Sequence, residues 1–139
     1  MSAAAERTAL VAAARAVRRR AHAPYSKFAV GAAVLDERGR VSVGCNLENA
    51  SYGLTVCAER NAIAAAVAAG ARRICAVAVA TGASPPASPC GACRQVIAEL
   101  GGAETEVLIA GTTGAAQRTT LGALLPRAFG LRGRSRRAT

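Results

Sequence analysis

The chain has 139 residues, with 18 Lys and Arg against 8 Asp and Glu, for a formal charge of +10. Hydrophobic residues make up 52% of it and 36 residues are alanine, whereas aromatics reach only 3%, tryptophan is missing and His22 is the single histidine. Such a length suits one domain over 1–139 with a core of small side chains, and one histidine excludes any metal site that needs two imidazoles.

Glu6 to Arg20 reads as a first helix, because Leu10, Val11, Ala14 and Val17 recur at helical spacing with the arginines mostly off that face. Its apolar middle is interrupted by Arg15 and closed by Arg18-Arg19-Arg20, with no small-residue cleavage site after it, which argues against an export signal. No run of 18 apolar residues occurs, so no membrane segment is expected. Pro24 ends the first helix. Phe28 to Leu35 and Val41 to Cys45 read as strands of a β-hairpin, joined through Asp36-Glu37-Arg38-Gly39. Thr55 is the expected N-cap of a helix from about Val56 to Ala69, rich in alanine and stopped by Gly70.

Ile74 to Ala80 reads as a short apolar strand, and Thr81 to Pro89, with two adjacent prolines, as a loop. Gly91 to Leu100 reads as another helix, closed by Gly101-Gly102. Glu106 to Ala110 follows as a strand, and Leu121 to Leu125 as a helical turn before Pro126. Strands alternating with helices after an opening hairpin predict an α/β layered domain with a mixed sheet. Residues 1–20 carry five arginines and one glutamate, and residues 127–139 carry five arginines and no acid. The middle, 21–126, is nearly balanced, with eight basic and seven acidic residues. The charge excess thus belongs to the ends and fits a solvated helix face and a flexible tail over 130–139. A nucleic-acid partner is not expected.

Two elements carry chemistry: Cys57-Ala58-Glu59 and Pro89-Cys90-Gly91-Ala92-Cys93, each opening a predicted helix. Cysteines three apart at a helix start can chelate one metal, and a thiolate from Cys57 would make three ligands with one tetrahedral position open. That is the arrangement of catalytic zinc, whereas four-ligand sites are closed and structural. Helix N-termini lower thiolate pKa values through their unpaired N–H groups. Three thiolates need a tempering cation, and Arg60 and Arg94 directly follow the two motifs. Glu59 lies too near Cys57 to join the chelate, but within reach of a water at the metal, whose proton it can move. Five cysteines, three of them in metal-like spacing, point to a reducing cytoplasm rather than to a disulfide framework.

A ligand-x-Glu element followed by Pro-Cys-x-x-Cys is the pattern of zinc deaminases. The chain resembles the short cytidine deaminases of pyrimidine nucleoside salvage from about Pro24 to Gly130. The resemblance rests on Pro24-Tyr25-Ser26-Lys27-Phe28, on Gly44-Cys45-Asn46-Leu47-Glu48-Asn49-Ala50-Ser51-Tyr52-Gly53, and on Cys57-Ala58-Glu59-Arg60. Pro89-Cys90-Gly91-Ala92-Cys93-Arg94-Gln95, Leu124-Leu125-Pro126 and Phe129-Gly130 complete it. It implies a layered α/β/α fold with a mixed central sheet, and one zinc per subunit held by Cys57, Cys90 and Cys93. It also implies hydrolytic deamination of cytidine and 2′-deoxycytidine at C4, with Glu59 as proton shuttle. Asn46 and Glu48 would bind the ribose, Phe28 would stack on the pyrimidine, and backbone near Ala58 would meet the base edge. Members of this length are homotetramers, in which Tyr52 and Phe129 would complete pockets between neighbours. Residues 112–120 match weakly.

Three rivals follow from the same residues. A deaminase of antibiotic nucleosides, of the blasticidin type, shares the fold, but the Asn46 to Asn49 segment favours ordinary nucleosides. A nucleic-acid deaminase would need stacking aromatics, which are scarce here. A non-enzymatic zinc module would recruit Cys45 or Cys75 as a fourth ligand. Otherwise Cys45 and Cys75 are expected as buried apolar thiols, and His22 as a partner of the first helix's last carbonyls.

Overall fold

A computed structural model of the chain describes residues 2–131. The expected looseness of the tail falls largely on residues 132–139, outside the described ones. Helix α1 spans Ala3–Arg18, earlier than its apolar stripe suggests, because Ser2 caps it by accepting a hydrogen bond from the Ala5 N–H at 3.1 Å. Strands β1 (Val30–Asp36) and β2 (Val41–Cys45) form the predicted hairpin. After a short 3₁₀ turn at Tyr52–Leu54 come α2 (Ala58–Ala68), β3 (Ile74–Thr81) and α3 (Gly91–Leu100). The chain then adds β4 (Glu106–Ala110), β5 (Gln117–Thr120) and a one-turn α4 (Leu121–Leu124).

The sheet runs β2-β1-β3-β4-β5 and is mixed: β3 and β4 are parallel, and the other neighbours are antiparallel. Side chains alternate along β3 with the period of a pleated strand. Ala76, Ala78 and Ala80 pack on Leu10, Val11 and Ala14 of α1, while Val77 packs with α2 residues Ala62, Ile63 and Ala66 and with Ile97 of α3. The layers are therefore α1, sheet, then α2 with α3, as the resemblance implied.

Two glycines set how closely the helices lie on the sheet. A methyl on Gly31 of β1 would overlap the Ala14 carbonyl and the backbone of Arg18 in α1. On the opposite face, a methyl on Gly44 of β2 would meet the backbone of Ala58, Asn61 and Ala62 in α2. Backbone thus packs against backbone at both points. The contact at Gly44 matters most for the site, since it seats the helix that begins at Cys57.

Cys75 is exposed rather than buried. The β1–β3 register shifts between Leu35 and Asp36, so that Leu35 pairs with Ala76 and Asp36 with Ile74. Cys75 sits at this bulge and has no partner residue on β1. Cys45 is half-buried. His22 lies beyond the end of α1 and joins the fold by its backbone, donating to the Asn46 carbonyl at 3.0 Å and accepting from the Glu48 N–H at 2.9 Å.

Candidate active site

The N-termini of α2 and α3 meet beside the end of β3 and the start of β1. Both helices open on a cysteine: Cys57 and Cys90 are the N-cap residues, and neither makes a side-chain capping bond. Thr55, expected as the cap, precedes the helix by three residues, and its hydroxyl instead accepts from the Asn49 N–H at 3.2 Å. Cys93 lies one turn into α3 and is fully buried.

The sulfurs of Cys57, Cys90 and Cys93 all lie within 4.8 Å of one another, and those of Cys57 and Cys90 are 4.0 Å apart. Thiolates on one tetrahedral zinc, each at about 2.3 Å, stand roughly 3.8 Å apart. A small closure would bring this set onto one ion, and soft thiolate donors suit zinc. Among the described residues this cluster includes neither Cys45 nor Cys75, so it offers three thiols to a metal ion rather than four. That weighs against a closed structural module.

The electrostatics agree with this chemistry. The Cys57 thiol is pulled down to about 5, first by its hydrogen bond with Cys93 and then by the Arg60 guanidinium. Cys93 is pushed up, because it carries the shared hydrogen toward Cys57 and is buried. Arg60 Nη2 lies 3.4 Å from Cys57 Sγ, beside the thiols. The buried Arg60 Nε has no hydrogen-bond partner among the described residues. Arg94 departs from expectation. Its guanidinium bonds the Pro89 carbonyl at 2.7 Å, the Leu124 carbonyl at 2.8 Å and the Ser88 hydroxyl at 3.0 Å. Five donors in a fixed fork let it bind three acceptors at once, so it ties the α3 start to α4 rather than facing the sulfurs.

Beside the thiols opens a cavity of about 190 Å³. Phe28, Val30 and Val79 supply apolar wall, and Asn46, Ala58 and Glu59 also line it. Glu59 is the second residue of α2 and only 4% exposed. Burial raises its pKa, and the neighbouring Cys57 thiolate adds to the rise. A carboxyl so placed holds a proton more readily than a solvated one. The structure therefore brings Cys57, Ala58, Glu59, Cys90, Phe28 and Asn46 to one cavity.

Asn46 is buried and spends part of its amide on the protein: Oδ1 accepts from the Val30 N–H at 2.9 Å, and Nδ2 donates to the Phe28 carbonyl at 2.8 Å. Glu48 lies one step away, in a groove of about 350 Å³ with Tyr25, Ser26, Asn49, Tyr52 and Thr55. Thr55 lines both spaces and joins them. The Glu48 carboxylate accepts from the N–H groups of Tyr25 at 3.0 Å and Ser26 at 3.1 Å, and from the Ser26 hydroxyl. The Ser26 hydroxyl, followed by these amides, holds Glu48 below the usual carboxylate range. The turn that Glu48 ties contains Lys27 at a φ of 60° and presents Phe28 to the cavity. Tyr52, 76% exposed, meets Tyr25 edge-on at 6.2 Å, and Phe129, 72% exposed, accepts from Gln95 Nε2 through its carbonyl. Neither lines this chain's cavity. Thr55, Thr81, Ala87 and Ser88 do line it and were missed. Only their place beside strand ends and the Cys90 motif could have pointed to them.

A family model described as the cytidine and deoxycytidylate deaminase zinc-binding region matches residues 4–110. The chain belongs to this deaminase family. It is 48% identical over 120 residues to the cytidine deaminase of Sporosarcina psychrophila, which covers 86% of this chain and 88% of that protein. Over 111 residues it is 50% identical to the cytidine deaminase of Mycobacterium tuberculosis, spanning 80% of each. The crystal structure of the cytidine deaminase from Burkholderia pseudomallei superposes with a TM-score of 0.85 at 49% identity, over 93% of this chain and 100% of that one. A deaminase family whose matched region is described as zinc-binding is what the three clustered thiols fit. No helix among the described residues is long and apolar enough to cross a membrane.

Proposed function

We propose that the chain is a zinc-dependent cytidine deaminase, hydrolysing cytidine and 2′-deoxycytidine to uridine and 2′-deoxyuridine with release of ammonia. The observation that carries this reading is the buried Glu59 between a three-thiol cluster and a cavity with a partly apolar wall. Cys57, Cys90 and Cys93 would hold the zinc, which when bound supplies a Lewis acid that makes water nucleophilic at neutral pH. Arg60 offsets the negative charge of the thiolates. Phe28 packs on the pyrimidine and orients C4 toward the thiol cluster. Glu59 takes a proton from the attacking water, delivers it to N3 of the ring, and then helps protonate the departing amine. Its raised pKa suits a group that both accepts and returns a proton. Backbone at Ala58 meets the base edge, and the unspent amide valences of Asn46 together with Glu48 contact the sugar.

The reading extends to a homotetramer, in which Tyr52 and Phe129 serve pockets shared between neighbours. Their exposure and the groove beside Glu48 support it, and light scattering that finds a monomer would overturn it. The five unpaired cysteines suit a reducing cytoplasm.

Wild type and Glu59→Gln are tested with cytidine, 2′-deoxycytidine, cytosine, an antibiotic cytosine nucleoside and single-stranded DNA, following ammonia release. Turnover of the two ordinary nucleosides by wild type is expected, with a zinc-loaded variant nearly inactive. Full activity of Glu59→Gln would remove the shuttle assignment. Zinc-loaded wild type without nucleoside turnover would remove the substrate.

A further inference from the structure

Thr81 is the last residue of β3 and is 1% exposed. Its hydroxyl oxygen accepts from the N–H groups of Ala83 and Ala87, each at 3.3 Å. A hydroxyl has two acceptor positions, so both bonds are compatible. They fold the β3–α3 connection, from Ala83 through Ala87, back over the strand end. The connection, Gly82 to Pro89, is made of glycine, alanine, serine and proline. It has no long apolar side chain to anchor it by packing. Pro89 is fully buried at its Cys90 end, and polar contacts hold the rest: Thr81 through the Ala83 and Ala87 amides, and Arg94 through the Ser88 hydroxyl and the Pro89 carbonyl. The two anchors serve different neighbours. Arg94 holds Ser88 and Pro89, which continue into Cys90, and Thr81 holds the amides of Ala83 and Ala87, of which Ala87 stands in the cavity wall.

We propose that Thr81 is a positioning residue for the substrate wall: its hydroxyl sets where Ala87 stands in the cavity, while the metal end of the same connection is held independently by Arg94. This rests on the deaminase reading given above. The division follows from the geometry, because removing the Thr81 hydroxyl releases Ala83 and Ala87 but leaves all three Arg94 bonds in place. Valine at this position keeps the branched shape and removes only the acceptor. Serine restores the acceptor.

Thr81→Val and Thr81→Ser are compared with wild type in KM and kcat for cytidine, in zinc content, and in amide exchange of residues 82–89 followed by NMR. For Thr81→Val, KM is expected to rise about tenfold, the effect of losing one to two neutral hydrogen bonds. Meanwhile kcat stays within about twofold and zinc content is unchanged, as the intact Arg94 bonds require. The Ala83 and Ala87 amides exchange faster, and Thr81→Ser returns both KM and exchange toward wild type. Wild-type KM and exchange in Thr81→Val would overturn the proposal. So would a fall in kcat together with loss of zinc, which would make Thr81 a support of the metal end. If wild type does not deaminate cytidine, the activity reading fails by itself and exchange decides the role of Thr81. Unchanged Ala83 and Ala87 amides overturn it, and acceleration reversed by serine sustains it.

Discussion

Gly44→Ala tests whether the seat of α2 on β2 positions the catalytic end of that helix. A methyl on Gly44 would stand 2.8 Å from the Asn61 carbonyl carbon and 2.9 Å from the Ala58 carbonyl oxygen, and closer still to the Ala62 nitrogen. All three are backbone atoms, so no side chain can swing aside. Ordinary contact for such atoms lies near 3.5–4.0 Å, so α2 must withdraw by about 1 Å. Overpacking of this kind costs about 1–3 kcal/mol. The same displacement moves Cys57 and Glu59 away from Cys90 and Cys93, which α3 carries separately. A misplacement of about 1 Å at a reacting centre can cost about a hundredfold in rate. Urea denaturation, zinc content and ammonia release from cytidine read the three effects. Gly53→Ala is the control for stability, since a methyl there meets nothing within 4 Å. Gly44→Ala with wild-type stability and activity would refute the claim that backbone contact at this glycine sets the helix.

Two further outcomes follow. The Asp36 carboxyl is pushed up by burial, but the N–H groups of Arg40 and Arg38 and the Arg38 guanidinium outweigh this and hold it below its ordinary value. A depressed folded pKa gives stability that is complete above the unfolded value of about 3.9 and is lost as pH falls through the folded value. Urea midpoints measured from pH 7 down to pH 3 should therefore drop below about pH 4, and less steeply in Asp36→Asn, which starts from a lower midpoint; parallel curves would remove Asp36 as a source. Arg94→Lys replaces a planar fork with a single ammonium and cannot keep three bonds in their present directions. It should cost about 2–4 kcal/mol by denaturation, together with weaker zinc retention against a chelator, and unchanged retention would mean that the α3 start is held by other contacts.

The elements with strong periodicity were readable from the sequence. α1, the hairpin, β3 and β4 owe their form to apolar patterns that the layers then bury. β5 was not readable, since Gln117-Arg118-Thr119-Thr120 has no apolar alternation and becomes a strand only by pairing with β4. The start of α2 shows a different failure. Propensity favours threonine as a cap over cysteine, so Thr55 looked like the boundary, but the fold puts Cys57 there. A helix that opens on a poor capping residue, and does so twice, departs from local preference where chemistry needs a sulfur. The thiols and Glu59 were legible because their spacing is their geometry. Arg94 was not, because adjacency to a motif says nothing of where a long side chain turns. Cys75 eluded the reading because it is the extra residue of a bulge in β3, which only the pairing with β1 reveals.

The alanine layer beneath α1 bears on how this protein could be hardened. Ala14, Ala33, Ala78, Ala80 and Ala110 are fully buried there. Alanine gives up no rotamers when it is buried, so this layer forms with little entropic penalty even though each residue withdraws little apolar area from water. It also leaves no side-chain volume to exchange. Enlarging one alanine would lift the whole helix, and enlarging several in concert would have to overcome the backbone contact at Gly31. Filling of the core, a common route to heat resistance, is closed within this alanine layer. Gains would have to come from shorter or stiffer connections, or from exposed edge-strand positions such as Val41 and Val43, away from the glycine that seats α2.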